Sequence, residues 1–128
     1  MVNITALDHL VLTVRDIAQT CEFYHDVLGM EVVRFGEGRT ALRFGDSKIN
    51  LHQAGNELAP TAGKPTPGSA DVCLISDTPL EEVQVHLAQQ GVTIELGPVE
   101  RTGALGTIRS VYIRDPDTNL IEIANRLR

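Results

Sequence analysis

The chain has 128 residues, 42% of them hydrophobic and 22% charged, which suits a single globular domain with its own core. A formal net charge of -6, with 11 Lys and Arg scattered along the chain, speaks against nucleic acid as a partner. No apolar run approaches the length of a membrane span, and the start of the chain lacks the pattern of a signal peptide, so the expectation is a cytoplasmic protein with no membrane partner.

In chain order, Leu7 to Val14 is short, apolar and β-branched, and predicts a strand. Asp16 is a candidate N-cap for a helix whose apolar positions run from Ile17 through Tyr24 to Leu28, with Gly29 as its stop. Three short strands are expected at Met30 to Phe35, Ala41 to Phe44 and Lys48 to Gln53. A loop rich in Pro and Gly then covers Ala54 to Ser69, with the linker proper over about 56–69. The pattern restarts with a strand at Asp71 to Ile75 and a helix from Thr78 and Pro79 to Gln90, closed by Gly91. Strands are expected at Val92 to Leu96, Arg109 to Arg114 and Leu120 to Ala124, with Gly97 to Thr107 as a long loop. Residues 114–119 form a polar turn, in which Asp115 and Asp117 are turn formers.

The halves therefore repeat as βαβββ, over modules of about 5–55 and 70–126 within one domain, 1–128. An offset of 62 pairs His9 with Asp71 and Gly29 with Gly91, while an offset of 70 for the last strands pairs His52 with Glu122. The expected fold is α+β, with the two modules forming a curved mixed sheet around a cleft. Period-two alternation puts His9, Val11 and Thr13 on one face of the first strand. Glu122 stands between Ile121 and Ile123, where a carboxylate is costly to bury without a partner. His9, Asp71, Glu122 and one or both of Asn50 and His52 can point into one space, as ligands suited to zinc, nickel, manganese or iron(II). Cys21 and Cys73 lack CxxC spacing and are expected to be buried, reduced thiols.

Three runs, LDHLVLTV at 7–14, FYHDVLGM at 23–30 and DPDTNLIEI at 115–123, resemble the glyoxalase I, fosfomycin-resistance and extradiol-dioxygenase superfamily, also called vicinal oxygen chelate. The segments KINLHQ, PGSAD and GPVERTGA look like the glyoxalase-domain-containing protein 5 group and its bacterial virulence-protein relatives. The resemblance implies metal ligands from the first and last strands of each module: His9 and Glu122, with Asp71 standing where metal enzymes usually have His. Asn50 and His52 both fit the remaining place, and His52 is favoured because imidazole binds transition metals better than an amide.

The implied activity is a metal-dependent lyase or isomerase acting on a small vicinal-oxygen compound or its thiol adduct. Glu122 is the first candidate for the base and Asp71 the second, with Arg101 and Asn50 as candidate substrate contacts. An iron-dependent ring-cleaving dioxygenase and a non-enzymatic module that sequesters a small molecule are the competing readings. The superfamily also implies a homodimer.

Overall fold

The computed structural model describes residues 1–127, in two compact units, Met1–Pro67 and the part from Gly68 onward. The first unit contains β1 (His9–Val14), α1 (Ile17–Leu28), β2 (Glu31–Phe35), β3 (Arg39–Phe44) and β4 (Ser47–Gln53). Its strands form one sheet in the order β1-β4-β3-β2, with β1 and β4 parallel and the other pairs antiparallel. Alternation decides which side is covered: Leu12, Val14, Leu42, Ile49 and Leu51 are buried in the core together with Tyr24 and Val27 of α1. Asp16 caps α1 by accepting from the Gln19 amide at 3.0 Å. Gly29, at φ 68, ends the helix, and the next amide, Met30, reaches back to the Tyr24 carbonyl at 3.1 Å.

The second unit repeats this plan with β5 (Asp71–Ile75), α2 (Leu80–Gln89), β6 (Leu96–Gly103), β7 (Gly106–Arg114) and β8 (Leu120–Arg126), in the order β5-β8-β7-β6. The two mixed four-stranded sheets, each with one helix, make the α+β arrangement expected from the repeat. Helix α2 has no side-chain cap of its own. Asn125, from β8, supplies the cap: its Oδ1 accepts from the Leu80 amide at 2.7 Å, and its Nδ2 donates to the Ser76 and Thr78 carbonyls.

One stretch departs from expectation. Val92 to Leu96 is not a strand, and the supposed loop after it is most of β6, which forms a hairpin with a longer β7. The Gly and Pro residues that suggested a loop sit where the register shifts between Leu96 and Val99, a bulge that tolerates a proline without an amide. A Cβ at Gly97 would lie 2.4 Å from the Ser110 carbonyl oxygen, so the backbones approach there only because this residue has none.

The register of the last strands also differs from the offset of 70. Lys48 stands beside His9 and Leu120 beside Asp71, and these partners are 72 residues apart in the chain. Asn50, not His52, is therefore the counterpart of Glu122. Two extra residues in the β6–β7 region account for the discrepancy, because a sequence offset cannot see where a bulge absorbs them.

The turn between β7 and β8 is built on a buried carboxylate. Asp115 Oδ1 accepts from the amides of Asp117 and Asn119, each at 2.9 Å, and Oδ2 accepts from Asn119 Nδ2 at 2.8 Å. Asn119 Oδ1 in turn accepts from the Ala70 amide at 2.9 Å, tying the turn to the residue that enters β5. Replacing Asp115 by Ala strands three donors in a buried site. The expected loss is about 3 kcal/mol of unfolding free energy, measured by urea titration.

Candidate functional site

β8 and its neighbours bring polar groups together on the face of the second sheet that α2 does not cover. The register sets Tyr112 beside Glu122 on one side and Cys73 beside it on the other. Ser110, one step along β7, donates its hydroxyl to Glu122 Oε2 at 2.5 Å. The carboxylate is half-buried, so this charge-assisted bond offsets part of the cost of withdrawing it from water. Arg101 of β6 donates from Nε to the Tyr112 hydroxyl at 3.1 Å, and its guanidinium carbon lies 5.7 Å from the ring centroid. Glu122, Cys73, Tyr112 and Arg101 line a cavity of about 380 Å³, shared with Ile75, Ile108 and Arg126.

Cys73 is exposed, not buried as expected, while Cys21 is buried. Partial burial of its thiol, then the charge of Glu122 and a hydrogen bond to it, push the Cys73 pKa up to about 11. The thiol is thus neutral at ordinary pH and serves the carboxylate as a donor rather than acting as a nucleophile.

The other expected site residues are placed as follows. His9 is exposed at the start of β1, with Nδ1 2.7 Å from Asp8 Oδ2. His52 is buried and stands beside Thr13, four residues further along the β1–β4 ladder than His9. At about 3.3 Å per residue that is roughly 13 Å, so the ladder does not bring the two imidazoles to one ion. Asn50 is buried, and its Oδ1 has no hydrogen-bond partner. Asp71 is exposed beside Leu120, two residues along the β5–β8 ladder from the level of Glu122. Among the described residues, no group of three or more His, Cys, Asp or Glu side chains is arranged to hold a metal ion. Within each unit the expected ligands thus stand at different levels of their ladders, and Glu122 is engaged by Ser110 and Cys73.

The model of the Glyoxalase/Bleomycin resistance protein/Dioxygenase superfamily matches residues 6–123. The chain belongs to this superfamily. Members bind small molecules, commonly use divalent metals and often form dimers. The chain is 57% identical over 121 residues to virulence protein STM3117 of Salmonella typhimurium, covering 94% of this chain and 84% of that one. It is 50% identical over 123 residues to glyoxalase domain-containing protein RDO1 of Mycosarcoma maydis, covering 96% and 69%. Among solved structures, an integron cassette protein from the mobile metagenome of V. cholerae superposes with a TM-score of 0.97 at 57% identity, covering 99% of each chain. A lactoylglutathione lyase from Agrobacterium tumefaciens shares the fold, with a TM-score of 0.73 at 22% identity over 96% of this chain and 95% of that one. Among the described residues, no helix is long and apolar enough to cross a membrane.

Of the residues singled out in the sequence, Glu122 and Arg101 line this cavity; Ser110, Tyr112 and Arg126 were not singled out, and Cys73 was expected only as a buried thiol. The turn at 114–119 carried the missing signal, since pairing Arg114 with Leu120 and counting back puts Tyr112 beside Glu122. Burial is the main cause of the raised Cys73 pKa, and Glu122→Gln removes the second, the carboxylate charge. Iodoacetamide labelling of Cys73 at pH 8 should then quicken roughly threefold, read by mass spectrometry with buried Cys21 as the slow reference.

Proposed function

We propose that the protein is a glyoxalase-type lyase or isomerase, which takes a small vicinal-oxygen compound or its thiol adduct into the second-module cavity. The carrying observation is a half-buried Glu122 whose Oε2 is held by Ser110 inside that cavity. Oriented by Ser110, the Glu122 carboxylate is the group placed to take a proton from the carbon beside the substrate oxygens and return it to the neighbouring carbon. The exchange is balanced within the substrate and needs no oxidant. Tyr112 accepts from Arg101, which leaves its own hydroxyl proton to donate to the oxygen that gains charge. Dioxygenation, which needs two imidazoles and a carboxylate on one iron, is disfavoured by the separation of His9 from His52.

The test is proton exchange at the reacting carbon of hemithioacetals made from 2-oxoaldehydes and thiols, followed by NMR in D2O. Metal content is measured by mass spectrometry on protein purified without chelators. Exchange that persists in metal-stripped protein and falls roughly 10²-fold or more in Glu122→Gln supports the reading. Near-stoichiometric metal, lost together with exchange in both His9→Ala and Glu122→Ala, would replace it with a metal-dependent lyase. Saturable binding with no exchange would leave a sequestering protein.

A further inference from the structure

Arg101 stands beside Ile108 across β6 and β7, and Ile108 stands beside Arg126 across β7 and β8. The two arginines therefore occupy one row on adjacent-but-one strands, about 10 Å apart at the backbone, with a buried Ile108 between them. Both line the cavity that holds Glu122. Arg126 is four residues along β8 from Glu122, roughly 13 Å at the backbone, while the Arg101 side chain reaches back to the hydroxyl of Tyr112, the residue beside Glu122.

Their electrostatic situation sets them apart within the module. Arg109 is paired with Glu81 at 2.8 Å, and Arg114 with Glu95 at 3.0 Å through both terminal and Nε nitrogens. The hydrogen bonds from Arg114 hold the Glu95 carboxyl below its ordinary range. Arg101 and Arg126, by contrast, have no carboxylate partner among the described residues. Arg101 spends Nε on Tyr112 and Nη1 on the Glu100 carbonyl, which fixes the side chain and leaves Nη2 without a protein acceptor. In a chain of net charge -6, two unpaired guanidinium groups in one cavity are not a consequence of a shortage of acids.

We infer that Arg101 and Arg126 form a clamp for an oxyanion group, carboxylate or phosphate, in the cavity they share with Glu122. Guanidinium groups suit this because each presents a fork of donors to two oxygens of one anion. Ile75 and Ile108 also line the cavity, so the ligand it fits carries an apolar or neutral part besides its charged head. Glu122 itself repels an anion, which fixes the orientation: head at the arginines, reacting end at the carboxylate. This clamp rests on the proposed function only for the identity of the reacting end; anion binding stands by itself.

The experiment uses inorganic phosphate and propionate as separate probes, followed by amide chemical shifts of the parent protein. Saturable shifts at Ile108 and Gly103, weakened roughly tenfold in Arg126→Met and in Arg101→Met, are expected, because each variant removes charged hydrogen bonds to the anion. Preference between the probes distinguishes a phosphate head from a carboxylate one. Arg101→Lys and Arg126→Lys should keep the charge and recover only part of the affinity. Both side chains are exposed, and thermal melts of each variant check that the fold is kept. Glu122→Gln should retain or tighten anion binding even where proton exchange is lost, so failure of the catalytic reading and failure of the clamp are separable. No saturable shift in the parent, or equal shifts in the variants, overturns the clamp.

Discussion

The buried carboxylate of Asp115 is the constraint on which the second module depends. It gathers two backbone amides and the Asn119 side chain, and Asn119 then takes the amide of Ala70 just before β5. That chain of bonds fixes the turn between β7 and β8 and the register of β8 against β5 in one stroke. Everything in the cavity inherits this register. Tyr112 and Cys73 flank Glu122 because Leu120 enters its ladder beside Arg114 and Asp71. A turn that would ordinarily be a tolerant surface feature is here a buried positioning device.

The two modules share a strand order and differ in chemistry. Asn50 and Glu122 hold the same place, as do Val11 and Cys73, in sheets with the same parallel and antiparallel pairs. An amide at one and a carboxylate at the other means that the repeat preserves the backbone and has divided the labour of the side chains. The hairpins divide likewise: β6 and β7 are longer than β2 and β3, and the added length carries Arg101. Fold and function are thus separable within a single chain, as they are between members of a superfamily.

How much of this was visible beforehand follows from the range of each interaction. The helices were legible because Asp16, Gly29 and apolar spacing act locally, and the repeat was legible because it is a property of order alone. Tyr24 as core and Glu122 on the uncovered face followed from periodicity. The β6 hairpin was not legible, since Gly97 and Pro98 signal a loop unless one knows that the Ser110 backbone approaches there. Asn125 as the cap of α2 was hidden for the same reason: it is 45 residues from the amide it serves. The choice between Asn50 and His52 could not be made by parity, because both share a face, and only strand pairing separates them.

β8 uses its two faces for two unrelated tasks. Glu122 and Arg126 line the cavity, while Asn125 turns the other way and holds the start of α2. A slip of one residue would exchange the faces, taking the carboxylate out of the cavity and the amide away from the helix together. Mispaired forms of this strand are therefore penalised twice, once by a buried charge without its hydroxyl and once by a helix without its cap. The residues that equip the cavity also act as proofreaders of the fold that contains it.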